Sequence, residues 1–301
     1  RNSGTRESEQ ICSNIIFIGS TSIMYYDFWN LSQAPFSQQQ DLALFFESEL
    51  HEEALARLLF VAEEQKKCSL FSGPSGTGKS LTLKACQQIL TRSSCQCEYL
   101  DLLGLGEEEF LWQLCAQLRL GPAHDTPLPQ LWRQLTDCLT GMQLTQGRLL
   151  LLLDHVDLSH LEALHAIERL LHTGNQQFPS LSLVLTMDEA SSPQAERAAQ
   201  ISDLSIELTA LDSEMTENYI QHRLSLSGCA DSVFTTDAIK EIHRSTHGFP
   251  TRINQICDLA LLAGYEQNLN EIDAEVIRRA QREINGAPAH VNRISEAIQG
   301  V

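Results

Sequence analysis

Eight consecutive residues, Gly73-Pro74-Ser75-Gly76-Thr77-Gly78-Lys79-Ser80, carry the spacing G-x-x-x-x-G-K-S. Glycines so placed let the backbone curl until its N–H groups point inward, a concave set of donors that fits phosphate oxygens. A lysine at the seventh position reaches the β- and γ-phosphates, and a hydroxyl at the eighth can join a Mg²⁺ shell. Further on, the apolar run Leu150-Leu151-Leu152-Leu153 ends in the carboxylate of Asp154. A carboxylate at the end of a buried strand holds Mg²⁺ through water. Together these residues point to ATP and Mg²⁺, with Gly73 to Ser80 binding nucleotide, Ser80 and Asp154 serving the metal, and Lys79 and Asp154 serving the chemistry.

The elements around them fit that task. An apolar run, Cys68 to Phe71, leads into the glycine-rich loop, and a helix from Lys79 to Leu90 leads out of it. That order of strand, loop and helix sets a helix N-terminus against the phosphates. Further strands are expected at Glu98 to Leu102, Leu149 to Leu153, Leu181 to Met187 and Leu204 to Leu208. Helices are expected at Glu49 to Lys66, 107–120, 128–144 and 159–173. In the first of these Leu55, Leu58, Leu59 and Ala62 share one face. Strands alternating with helices predict an α/β fold with a parallel sheet, and an all-leucine strand is what burial on both faces requires. After Leu211 only helical patterns follow, at 213–227, 235–246, 251–266 and 273–284, which predicts a separate small helical domain.

The chain of 301 residues holds 21 Lys+Arg against 39 Asp+Glu, a formal charge of −18. Such acidity disfavours nucleic acid and anionic lipid as partners unless the basic residues are grouped. The one compact basic cluster is Arg278, Arg279 and Arg282 on the last helix, which reads as a solvated face. Nowhere does an apolar stretch approach the ~20 residues of a membrane-spanning helix. Nine scattered cysteines without C-x-x-C spacing read as free thiols in a reducing cytosol, so a cytoplasmic location is expected. The sequence begins at Arg1, the first methionine is Met24, and residues 1–23 read as a non-native leader or extension.

Four stretches together resemble the AAA+ ATPases, and more narrowly the general secretion pathway protein A family. They are Tyr25-Tyr26-Asp27-Phe28-Trp29 with Pro35-Phe36; His51-Glu52-Glu53-Ala54-Leu55-Ala56-Arg57-Leu58; the glycine-rich loop; and Gly248-Phe249-Pro250-Thr251-Arg252-Ile253-Asn254. The resemblance covers roughly residues 24–285. It implies a RecA-like P-loop NTPase core with a C-terminal helical lid, ATP and Mg²⁺ at their junction, and self-assembly. The division it suggests is an N-terminal segment and helix at 24–66, a core at 67–210, a lid at 211–286 and a tail at 287–301.

Against that family the site departs at four places. A glutamate normally follows the strand-end aspartate and orients the attacking water; here the position holds His155, with Asp157 two residues on as a substitute. The polar γ-phosphate sensor falls to Thr186 or Asp188. A trans-acting arginine before Ile201 is replaced by Gln200, with Arg197 one turn earlier. The lid arginine is displaced from position 251 to Arg252.

The expected function is that of an ATP-dependent assembling motor or switch in an envelope process such as general (type II) secretion or pilus assembly, with an unidentified protein partner. Alternatives are a DNA-associated ATPase of the transposition-helper kind and a hydrolysis-deficient nucleotide-binding regulator.

Overall fold

A computed structural model describes residues 25–37, 41–92, 95–177, 180–188, 192–229 and 232–286, with the side chains of 173–177 excepted. The expected leader at 1–23, Cys12, the run Gln38-Gln39-Gln40 and the tail at 287–301 lie outside these residues. The chain divides into two units, one of residues 41–209 and one combining 1–40 with 210–301.

The first unit is built on five parallel strands: β1 (Cys68–Ser72), β2 (Cys95–Asp101), β3 (Arg148–Asp154), β4 (Leu181–Met187) and β5 (Leu204–Glu207). Their order across the sheet is β2-β3-β4-β1-β5. Alternate residues of a strand point to opposite faces, and here each face has its own core. Leu149, Leu151 and Leu153 of β3 join Leu181, Leu183 and Leu185 of β4 in one cluster. Leu150 and Leu152 join Val184 and Phe71 in the other. That is why β3 tolerates five leucines in succession: both of its faces are roofed by helices.

The first cluster is covered by α3 (Glu107–Gln117), α4 (Leu128–Leu144), α5 (Leu161–Gln177) and α6 (Pro193–Ile201). The second is covered by α1 (Glu49–Glu63) and by α2 (Lys79–Leu90), which follows the glycine-rich loop. Helix α1 thus packs as part of the sheet unit, through Ala54, Leu55, Leu58, Val61 and Ala62. It ends three residues before the sequence suggests, and Gln65 just beyond it takes a left-handed φ of 51°.

The second unit comprises α7 (Ser213–Leu226), α8 (Thr236–Thr246), α9 (Pro250–Glu266) and α10 (Ala274–Gly286). Residues 25–37 pack against these helices. Trp29 is buried and its indole N–H donates to the carbonyl of Leu261 at 3.0 Å. Phe36 meets Phe234 edge-on, with ring centroids 6.3 Å apart. Arg223 is buried, donates to the Tyr219 hydroxyl at 2.9 Å and to the carbonyl of Pro35 at 3.4 Å, and so ties this segment to α7. Among the described residues no helix is long and apolar enough to cross a membrane, and no disulfide joins the eight cysteines there.

Candidate functional site

Parallel strands deliver their C-terminal ends to one edge, where α/β sheets hold ligands. The loop leaving β1 turns at once, with φ of 151° at Gly73, 84° at Gly76 and 105° at Gly78. A side chain at Gly73 would place its Cβ 2.1 Å from the carbonyl oxygen of Leu208, so only glycine fits beneath β5's outgoing chain. Thr77 is buried and donates its hydroxyl to the carbonyl of Pro74 at 2.9 Å, which closes the curl. Helix α2 starts at Lys79 with no side chain capping its N-terminus. Its first-turn N–H groups, which have no partner within the helix, are therefore the natural donors to an anion held in the loop.

His51 of α1 supports this loop from behind. Its Nε2–H donates to the carbonyl of Thr77 at 3.1 Å, and its Nδ1 accepts from the Ser48 hydroxyl at 2.7 Å. The carbonyl can only accept, which fixes the proton on Nε2 of the neutral ring. Burial pulls the His51 pKa below the ordinary imidazole value, against a smaller opposing effect of the Thr77 bond. In the sequence His51 opens the family-like stretch His51 to Leu58, but nothing there gives it a part in the site.

Lys79 is buried, and its ammonium has three acceptors: the carbonyls of Gly73 at 2.7 Å and Pro74 at 3.2 Å, and Asp188 Oδ1 at 2.6 Å. Asp188 follows the last residue of β4. The pair brings the tip of β4 onto the lysine of the glycine-rich loop.

Asp154 ends β3 and is buried. Its Oδ2 accepts from the Tyr99 hydroxyl at 2.9 Å, and its Oδ1 accepts from the Thr186 hydroxyl and from the His155 N–H at 3.1 Å. A carboxylate offers about four lone-pair sites, so the three donors occupy three of them and leave one open. Burial, then the charge of Asp154, pushes the Tyr99 phenol upward, so Tyr99 stays a donor. Tyr99 was not foreseen from the sequence, although a tyrosine on the strand next to the aspartate is the residue able to reach it.

His155 sits in the left-handed region, at φ 54° and ψ 43°. Its Nδ1 lies 2.8 Å from Oδ1 of Asp101, the last residue of β2 and the register partner of Asp154. Burial lowers the His155 pKa, but Asp154, the bond to Asp101 and Asp188 outweigh it, and the net direction is up. Asp157 lies in the short turn after His155, buried beneath the end of β4. Its Oδ2 accepts from the Asp188 N–H at 3.3 Å, and its Oδ1 has no protein partner. Burial raises the Asp157 pKa against the bond from Asp188. Of the two candidates to replace the usual glutamate, Asp157 thus braces the β4 tip, whereas His155 carries a half-exposed ring at the strand edge.

Of the two sensor candidates, Thr186 serves Asp154 and Asp188 serves Lys79. Arg197 lies on α6, a helix not expected from the sequence although Ser192 and Pro193 form its N-cap and first residue. Its guanidinium is bonded through Nε and Nη2 to Glu168 of α5. Arg252, in the helical unit, is exposed, lies 5.3 Å from the Phe249 ring centroid, and has no ion pair among the described residues. Ahead of it, Gly248 has φ 75°, and a Cβ there would come within 1.8 Å of the carbonyl oxygen of Leu211.

Residues 62–197 match the protein-family profile described as an AAA domain. General secretion pathway protein A of Aeromonas hydrophila is 28% identical over 271 residues, which cover 87% of this chain and 49% of that protein. The chain therefore spans about half the length of that relative. Among solved structures, the ORC2 protein of Aeropyrum pernix aligns with a TM-score of 0.63 at 13% identity, over 84% of this chain and 72% of that one. Cdc6p of Pyrobaculum aerophilum aligns with a TM-score of 0.65 at 14% identity, over 83% and 70%. At such identities the likeness is one of fold: a RecA-like parallel sheet with a helical region after it.

Proposed function

We propose that this chain, an AAA+ P-loop protein resembling general secretion pathway protein A, binds ATP with Mg²⁺, assembles with copies of itself, and acts from the cytoplasm as a motor or nucleotide-gated switch in an envelope process. General (type II) secretion or pilus assembly is the process the sequence relationship supports. The observation that carries the ATP reading is Lys79, held at the mouth of a glycine loop by a displaceable carboxylate beside the anchored Asp154.

The residues divide the work as follows. The N–H groups of Gly73 and of Ser75 to Ser80 cradle the phosphates, and the γ-phosphate replaces Asp188 on Lys79, exchanging one charge-assisted bond for another. The donor set suits a hard cation, because Asp154 keeps one lone-pair site open and Ser80 contributes a hydroxyl oxygen. When bound, Mg²⁺ neutralises charge on the β- and γ-oxygens. Asp154 is oriented by Tyr99 and Thr186, His155 stands where the water is oriented, and Asp157 keeps the β4 tip in place.

The alternative of a hydrolysis-deficient regulator draws support from His155 and from the pairing of Arg197 with Glu168. The DNA-associated alternative is weakened by the helical unit. There Arg278, Arg279 and Arg282 all share Glu275, at 3.6, 3.7 and 3.3 Å.

The test is phosphate release by the full chain across a protein concentration series, beside Lys79→Ala and His155→Glu. An assembling ATPase releases phosphate more steeply as concentration rises, and Lys79→Ala abolishes it. Tight ATP binding without turnover, restored by His155→Glu, would instead establish the regulator.

A further inference from the structure

One peptide of the glycine-rich loop is pinned by a side chain from outside the loop. The Thr77 carbonyl accepts from Nε2 of His51 at 3.1 Å. The ring that donates is itself fixed. Its Nδ1 lies 2.7 Å from the Ser48 hydroxyl, the Phe45 ring stands edge-on to it at 5.7 Å, and the side chain is buried. Ala54 and Leu58 of α1 share a core with Leu83 and Cys86 of α2, so the helix carrying His51 is packed against the helix that the loop opens. The bond to Thr77 does not depend on the charge of the ring, because imidazole and imidazolium can both donate from Nε2.

In a trans peptide the C=O and the following N–H point in opposite directions. With the Thr77 carbonyl turned toward α1, the N–H of Gly78 points away from α1, and among the described residues it has no acceptor. Gly78 stands at φ 105°, a conformation glycine adopts freely, so nothing in residue 78 itself stops this peptide from turning over. Turned over, it would offer a carbonyl oxygen to an anion in place of an N–H. A Cβ at Gly78 would come within 3.0 Å of His51 Nε2, so the ring occupies the space that a side chain there would need.

We propose that His51 is a positioning residue for nucleotide binding: by holding the Thr77 carbonyl it keeps the Gly78 N–H turned toward the β-phosphate. The inference rests on the ATP reading above. Loop amides at this spacing serve the α- and β-phosphates, whereas the lysine reaches the β- and γ-phosphates. His51 therefore acts where ATP and ADP are alike, and Lys79 where they also differ. His51 touches no atom of the nucleotide. It acts through the 77–78 peptide alone, by fixing a donor before the ligand arrives, so that binding need not order it.

The test is calorimetric titration of the full chain with MgATP and, separately, with MgADP, using wild type, His51→Leu and His51→Gln. Leu fills the space without a donor, whereas Gln can bring an amide N–H near the position of Nε2. His51→Leu is expected to weaken MgATP and MgADP by the same factor of about ten, the worth of one hydrogen bond to a charged group. His51→Gln is expected to stay within about threefold of wild type for both nucleotides. The Gly78 amide proton is expected to move downfield when MgADP is added to wild type and to His51→Gln, and to move less in His51→Leu. The wild-type and Gln spectra keep the test decisive where His51→Leu does not fold. Unchanged affinity in His51→Leu would overturn the proposal, and so would a loss confined to MgATP or a loss as large in His51→Gln as in His51→Leu. Fewer binding sites per chain at an unchanged dissociation constant would mark a merely structural role, and a Gly78 amide unmoved by MgADP would remove the proposed contact. Absence of binding by wild type would instead remove the ATP reading itself, and the inference with it.

Discussion

Lys79 Nζ lies 2.6 Å from Asp188 Oδ1, so the cation that should receive a phosphate is already paired with the tip of the neighbouring strand. The lysine is 7% exposed and the aspartate 27%, so the pair is shielded from water and cannot be dismissed as a surface contact. On the proposed reading, ATP displaces this carboxylate when it binds. Asp188→Asn keeps a polar group at the site but removes the competing charge. It should tighten MgATP binding by a factor of about three to ten, equal to about 0.7–1.4 kcal/mol. Titration with a fluorescent ATP analogue measures it, and an unchanged or weaker affinity would show that the pair does not gate entry.

The buried His51 predicts a pH dependence with a definite sign. Its folded pKa is depressed, so the unfolded chain takes up the proton first as the solution is acidified. The stability it contributes is complete above the unfolded value of about 6.5 and is lost as pH falls through the folded value. Urea unfolding of wild type and His51→Gln across that range should give a difference that grows on the alkaline side. His51→Ala should lose about 1–3 kcal/mol at about pH 8, because Thr77 and Ser48 lose their buried partner. A wild-type curve parallel to that of His51→Gln would contradict the assignment.

Gly248 permits the turn between α8 and α9. A Cβ there meets the carbonyl oxygen of Leu211 at 1.8 Å, and the backbone stands at φ 75°. Gly248→Ala should destabilise the helical unit by about 1–3 kcal/mol from overpacking, with further cost from the left-handed backbone. Thermal unfolding followed by circular dichroism reads the shift. Gly286→Ala, where a Cβ meets nothing within 4 Å, serves as the neutral control.

Local patterns revealed much of this architecture, and contacts distant in sequence supplied what they could not. The glycine spacing, the leucine run ending in Asp154 and the change to helices after Leu211 each carry a period or a motif, and the sheet and loop followed from them. What stayed hidden depends on strand order. Asp101 meets His155, and Tyr99 meets Asp154, because β2 pairs with β3 in one register. Nothing within either strand announces that. Glu168 captures Arg197 because α5 and α6 cover the same face of the sheet, and α6 itself was short enough for its Ser-Pro start to be passed over. The N-terminal aromatic segment was legible as a motif, but its place against the helices after Leu211 came only with Trp29, Phe36 and Arg223 in position.

The most direct test of the central claim is calorimetric titration of the full chain with MgATP, wild type beside Lys79→Ala. The account predicts binding that depends on Mg²⁺ and weakens about tenfold or more when the ammonium is removed. Equal affinity in the two proteins, or no binding by wild type, would contradict it.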